Sequence, residues 1–486
     1  MENKILDSVV VGTGFAGLCS AIKLKEARSD FLVLEKDTGI GGVWRANSYP
    51  GAQCDVQSHL YSFSFEQYPY WSRTYAPQKE ILKYLERCST KYEITPHIRF
   101  NTKVTDTSWN DSKQIWEIQT NKGELFKAKT LFLAFGGLSQ VSYPDIKGLQ
   151  RFKGSLFHSA RWDHSLDLSG KRVAVIGSAA SAIQIVPAIA PIVERLSLFQ
   201  RTASWIIPKE DHPYSLLDQL SFQFIPGLQW ASRESIYWRL EWRAMAFVYA
   251  PFLMKILQER VKRHIRNSIP DPILAKKVTP NYTIGCKRVL LSNNFYPAIQ
   301  RPNVDVITAG IQEVNENGII LKDGSKIDLD VIVMATGFKV SEDVLPFEVR
   351  GKEGIPLSEV WKEGPEAYLG TTVKGFPNLF LIVGPNTGLA HSSLVYMIES
   401  QVNYALKALE FMKKKKVQTI EVKSEIHDSY NRDIQKKLEN SVWNTGGCTS
   451  WYKTKAGKNI SLWPGFTFEF RTKTEFFNPK DYVVVP

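Results

Sequence analysis

RVAVIGSAASAIQIV, Arg172 to Val186, reads as an apolar strand, a glycine turn and the start of a helix. This is the layout of a dinucleotide site, where a strand end and a helix N-terminus meet a pyrophosphate. Of the glycines expected in G-x-G-x-x-G only Gly177 is present; Ala179 takes the second position, and Ala182 takes the third, where alanine is tolerated. The next strand, RLSLFQRTASW, carries Gln200 and Arg201 where a ribose-binding acid would stand. A guanidinium there suits a 2′-phosphate, which an acid would repel. The unit therefore reads as an NADP site with Gly177, Ser178, Ser181, Arg201 and Thr202 as binding residues; the alternative is a βαβ unit without a ligand.

The N-terminal unit has the same order of events and all of its glycines. DSVVVGTG, FAGLCSAIKLKEAR and FLVLEKD form strand, turn, helix and strand, with Gly12, Gly14 and Gly17 in the fingerprint. Glu35 ends the second strand, 23 residues after Gly12, in place to bind ribose hydroxyls. One FAD-like and one NADP-like site in one chain point to a flavoprotein that takes hydride from NADPH. The fold expected is α/β, with two Rossmann-like dinucleotide-binding domains and a helical insertion in the second. Residues 1–150 are assigned to the first part of the FAD-binding domain, and 151–211 with 286–340 to the NADP-binding domain. Residues 212–285 form the insertion, and 341–486 return to the FAD-binding domain.

Composition is that of a globular chain, and 61 Lys and Arg against 49 Asp and Glu give a net charge of +12. No basic-aromatic nucleic-acid module accompanies the charge, so a solvated basic surface is expected and no nucleic-acid partner. The five cysteines form no CxxC pair and leave one over, which argues against a disulfide framework and for a reducing, cytoplasmic setting. Eight histidines without ligand spacing give no metal site. The apolar run AMAFVYAPFLM, Ala244 to Met254, is too short to span a bilayer and contains Pro251; membrane contact is at most peripheral. Oligomeric state is left open.

Two longer patterns carry a resemblance. FKGSLFHSARWD, Phe152 to Asp163, fits F-x-G-x-x-x-H-x-x-x-W-[P/D], and GGVWRANSYPGAQCD, Gly41 to Asp55, fits G-G-x-W-x4-Y-P-G-x3-D. The chain resembles type I Baeyer-Villiger monooxygenases over nearly its whole length. GPNTGLAHSSLVYMIESQ and GGCTSWYKTKAGKNISLWPG are similar to the branch that contains 4-hydroxyacetophenone monooxygenase.

The resemblance implies FAD and NADPH as cofactors, with a small-molecule ketone and O2 as substrates. Oxygen adds to the reduced flavin as a C4a-peroxide, the peroxide attacks the ketone, and migration of one carbon substituent gives an ester or lactone. Sulfoxidation is a second activity the resemblance admits. Such chemistry calls for a fixed cation, and the pair Lys287-Arg288 matches the family's Lys-Arg step. Arg288 is expected to stabilise the developing negative charge, Asp55 to orient it and Lys287 to help hold the NADP phosphate. Gly42, Trp44, Asp55 and Asn386 join the cofactor-binding set. Phe152, Gly154, His158, Trp162 and Asp163 are read as hinge and packing residues; a general-base role for His158 is rejected because a peroxide nucleophile needs none.

Two other readings stay open: a flavin monooxygenase that oxidises nitrogen or sulfur, and a non-catalytic redox-sensing flavoprotein. His391 and Ser392 are expected on a loop near a substrate mouth; no G-x-S-x-G elbow supports a hydrolase.

Overall fold

The computed structural model describes residues 4–340 and 344–486. β1 (Ile5–Val11) runs through the glycine turn into α1 (Phe15–Glu26) and then β2 (Phe31–Leu34). The short α2 (Val43–Ala46) and α3 (Gln78–Lys91) follow, then β3 (Ile98–Arg99), β4 (Val104–Asn110), β5 (Ile115–Thr120) and β6 (Leu125–Leu133). β1 lies parallel between β2 and β6, with Val9 opposite Leu32 and Leu131. Val9 and Val10 are both fully buried, because the strand is covered on both faces.

The second sheet starts at β7 (Ser155–His158) and β8 (Arg172–Ile176); α4 (Ala182–Ile189) and β9 (Arg195–Phe199) come next. Pro187 lies inside α4, and the chain leaves the helix two residues later. β10 (Ile206–Ile207) precedes a helical stretch of α5 (Leu216–Phe224), α6 (Leu228–Glu241), a π-turn at Met245–Tyr249, α7 (Leu253–Ser268) and α8 (Pro272–Lys277). β11 (Leu290–Leu291) then pairs with β10 in parallel, which fixes the chain immediately after Arg288. β12 (Val304–Ile307), the antiparallel meander β13 (Ile311–Val314), β14 (Gly318–Leu321) and β15 (Lys326–Asp328), and β16 (Val331–Met334) complete this half.

The five strands of the second sheet run β12-β9-β8-β16-β7, all parallel. β17 (Glu348–Arg350) and β18 (Leu379–Leu381) join the first sheet, beside β4 and β6. The 340/341 boundary expected between domains falls at residues 341–343, outside the described residues. In each sheet the chain departs to opposite sides of one central strand, β1 or β8. The crevice at such a switch point is where open α/β sheets take their ligands, and it places Gly12 and Gly177 there.

The helical stretch packs against both halves. Ile236, Tyr237 and Leu240 of α6 enter the core around α1 and α3, whereas Val261 and Ile265 of α7 enter the core around α4. The segment Ala244 to Met254 folds as the π-turn and the start of α7, and among the described residues no helix is long and apolar enough to cross a membrane.

One expectation is overturned. Cys286 and Cys448 form a disulfide across 162 residues, although the odd cysteine count argued against one. The C-terminal segment folds back onto the approach to Arg288 and brings the two together; Cys19, Cys54 and Cys88 remain as buried thiols.

Candidate active site

At the end of β1 the backbone of Gly12 has φ +104°, a conformation that disfavours side chains, and a Cβ on Gly17 would overlap the Gly12 carbonyl oxygen. A Cβ on Gly42 would lie 3.0 Å from the Cα of Gly14, so the GGxW segment is pressed against the glycine loop. The Glu35 carboxylate accepts from the Thr13 N–H at 2.9 Å, the Thr13 hydroxyl at 2.6 Å and the Asp37 N–H at 2.9 Å. A carboxylate has about four acceptor sites, so it is held beside the loop with one site left for a ribose hydroxyl. Trp44 Nε1 donates to the Tyr61 hydroxyl at 3.1 Å. These groups fit a dinucleotide lying along the loop.

The second turn is built alike. Gly177 has φ +115°, and a Cβ there would overlap the Ala335 carbonyl oxygen. Ala182, at the third position, is fully buried, while Ala179, at the second, is exposed. The Ala179 methyl therefore crowds nothing in the protein itself. Ser178 Oγ donates to the Thr202 carbonyl at 2.9 Å, and Ser181 stands at the N-cap of α4. Gln200 turns inward, its amide donating to the Lys277 carbonyl at 2.9 Å, which leaves Arg201 as the outward group. Burial, and next the charge of Arg201, lower the pKa of Lys287 from its ordinary value. Among the described residues neither cation has a carboxylate within salt-bridge distance, an arrangement suited to a phosphate dianion.

The Phe152 to Asp163 segment lines the seam between the sheets. A Cβ on Gly154 would meet the Asp330 carbonyl and the Phe152 ring, which explains the F-x-G spacing. His158 is fully buried; Nδ1 accepts from the Ala160 N–H at 3.1 Å and Nε2 lies 3.0 Å from the Gly337 carbonyl. Both nitrogens are used in holding backbone. Trp162 meets Phe157 edge to face at 5.1 Å, and Asp163 accepts from the Ser165 N–H and hydroxyl at 2.9 and 2.6 Å.

Arg288 donates Nε and Nη2 to the two Asp55 oxygens at 2.7 and 2.6 Å. The Asp55 charge raises the arginine pKa further above its ordinary value. The Arg288 side chain keeps 39% exposure, so it is fixed yet open on one side. Three neighbours were not singled out in the sequence. Lys209, almost buried, donates to Gln53 Oε1 at 2.7 Å and to the Cys54 carbonyl at 3.1 Å. Tyr452 is buried near Arg288 and Asp55, and burial pushes its phenol up to about 12, so it stays protonated. Gln184 of α4 accepts from the Tyr49 hydroxyl at 2.9 Å and donates to the Gln53 carbonyl at 2.8 Å, docking the YPG segment on the second domain.

Asn386 is placed differently from a free ligand. It is 3% exposed, and its amide nitrogen donates to the Asn459 and Leu462 carbonyls at 2.9 and 3.1 Å. His391 and Ser392 are buried rather than set at an open mouth, and His391 Nε2 lies 3.7 Å from the buried Glu241 carboxylate. Among the described residues, Glu366, His427 and Asp428 bring metal-capable atoms within 4.8 Å of one another. Lys458 and Lys374 already pair with those two carboxylates, at 2.6 Å each, so the group is charge-compensated without an ion.

Residues 9–222 match the family model described as pyridine nucleotide-disulphide oxidoreductase. A Baeyer-Villiger monooxygenase of Pseudomonas aeruginosa is 48% identical, over 97% of this chain and 90% of the relative. One of Streptomyces coelicolor is 43% identical, over 98% of this chain and 92% of the relative. The crystal structure of OTEMO in complex with FAD and NADP superposes with a TM-score of 0.88 at 28% identity, covering 99% of both chains. The paired nucleotide turns, the seam segment and an arginine locked to Asp55 thus belong to a chain that is a member of the Baeyer-Villiger monooxygenases.

Proposed function

We propose that the chain uses FAD and NADPH to insert one atom of O2 beside a ketone carbonyl, giving an ester or lactone. The observation that carries this reading is the bidentate Arg288–Asp55 pair, in a chain that has both an FAD-type and an NADP-type turn. Bound FAD, reduced by NADPH, supplies the oxygen-transfer chemistry.

The protein's part is charge and position. Arg288 stays protonated throughout the working pH range and, held by Asp55, meets negative charge developing on oxygen without first reorganising. Lys209 and protonated Tyr452 bound the same region. Arg201 and Lys287 hold the 2′-phosphate of NADPH, and Gly12, Gly14 and Gly42 give the FAD pyrophosphate room against the backbone. In this reading 1–150 and 341–486 form the FAD-binding domain, 151–211 and 286–340 the NADP-binding domain, and 212–285 an insertion.

The test is turnover of a ketone panel with NADPH under 18O2. Expected is an ester carrying a single labelled oxygen atom. Hydrogen peroxide alone across the panel, or oxidation of sulfides and amines with no ketone converted, overturns the proposal.

A further inference from the structure

The helices between β10 and β11 leave large apolar side chains in water. Trp242 is 65% exposed, Phe252 67% and Ile256 56%. The aromatic ones are contiguous. Trp238 reaches Phe468 at a ring distance of 6.2 Å, Phe468 stacks on Phe466 at 5.1 Å, and Phe466 contacts Trp242 at 6.3 Å and Tyr249 at 5.4 Å. Phe252 and Ile256 are exposed at the start of α7, which packs against the π-turn that carries Tyr249. Isolated exposed apolar residues are ordinary, but a joined platform of this kind marks a surface that something covers.

Charge identifies the covering partner. Residues 228–268 hold eight Lys and Arg against three Glu, and Arg233 and Glu241 are buried in contacts of their own. Lys255, Arg260, Arg263 and Arg266 are exposed on α7, whereas Arg239 and Arg243 turn to Gln57, Glu210 and Tyr75. Among the described residues the ion pair on α7 is Lys262 with Glu259, and Lys255, Arg260, Arg263 and Arg266 have no carboxylate within salt-bridge distance. A two-fold dimer through this face would set the same cations near their own copies, which is unfavourable. Trp, Tyr and Phe flanked by Arg and Lys is instead the chemistry of helices lying in a bilayer interface, with rings at headgroup depth and cations on lipid phosphates.

We propose that this face docks the enzyme on an anionic lipid bilayer. The surface is independent of which ketone reacts. It is tested by floating the purified full chain with vesicles of phosphatidylcholine alone and of phosphatidylcholine mixed with phosphatidylglycerol. The protein is expected to float with the anionic vesicles and to be released by salt. Trp242→Ser with Phe252→Ser lowers the membrane partition coefficient by on the order of tenfold, and separately Arg260→Gln with Arg263→Gln lowers it by roughly 25-fold, since each interfacial cation contributes about one factor of five. Both variants keep the wild-type melting temperature and turnover of a water-soluble ketone. Wild type that stays with the soluble fraction for both vesicle types overturns the proposal. So does a wild-type dimer in sedimentation that Trp242→Ser with Phe252→Ser converts to monomer, because a second copy would then be the covering partner.

Discussion

Arg288 and Asp55, 233 residues apart, share two hydrogen bonds of 2.6 and 2.7 Å. Asp55→Asn keeps the shape but removes the charge and one acceptor, so the guanidinium loses its fixed direction. Ester formation is expected to fall on the order of 10²-fold, and Arg288→Ala by 10²- to 10³-fold, with FAD still bound. The double variant should be little worse than Arg288→Ala, because the two act as a unit. Ester yield and the visible flavin band are the readouts; an additive double loss would show that Asp55 acts elsewhere.

Arg201 points outward while Gln200 is tied to Lys277. Arg201→Ala is expected to raise KM for NADPH by about 10- to 100-fold, the worth of a charge-assisted phosphate contact, and leave NADH unchanged. Ala179→Gly should leave the NADPH affinity as it is, since Ala179 is exposed. An unaltered coenzyme preference in Arg201→Ala would assign the phosphate to another residue.

The Cys286–Cys448 disulfide closes a loop across 162 residues. Cys286→Ser and Cys448→Ser are each expected to lower unfolding stability by about 2–4 kcal/mol, and the pair by no more than either alone. Urea titrations with and without dithiothreitol measure this. Reductant should lower the wild-type midpoint and leave the serine variants where they are.

His59 gives a pH dependence. Its ring is 1% exposed, between Tyr214 and Phe222 and beside Arg233, and burial holds its pKa down at about 4. The unfolded chain takes up this proton near pH 6.5 and the folded one does not, so stability is full above 6.5. It is lost as pH falls from about 6.5 to about 4, by about 3 kcal/mol. His59→Gln should flatten that part of the stability profile; an unchanged slope would place the titrating group elsewhere.

The glycine turns were legible because backbone geometry restricts what can stand there: Gly12 and Gly177 both have positive φ. Their strands were legible because buried parallel strands read as unbroken apolar runs, such as VVV and VAV. Asp55 and Arg288 were found through a family pattern, since nothing in their separation announces a contact. Lys209 stands outside the quoted motifs, and Gln184 and Tyr452 lie within quoted stretches but at positions whose contacts only tertiary folding creates. The disulfide failed to show because counting cysteines says nothing about pairs set by a returning C-terminal segment. Asn386 joined the cofactor-binding set in the sequence reading; its backbone is left-handed, φ 54°, and its side-chain amide is bonded to the 459–462 loop.

Gln184 holds Tyr49 and Gln53 across the domain seam, and Gly51 between them has φ +81° with no room for a Cβ against the Gln184 carbonyl. The two halves are therefore not freely exchangeable cassettes. A chimera that swaps the NADP half between relatives must carry residues 49–53 from the same parent as α4, and breakpoints that separate them should yield hybrids with both cofactor sites intact but misaligned.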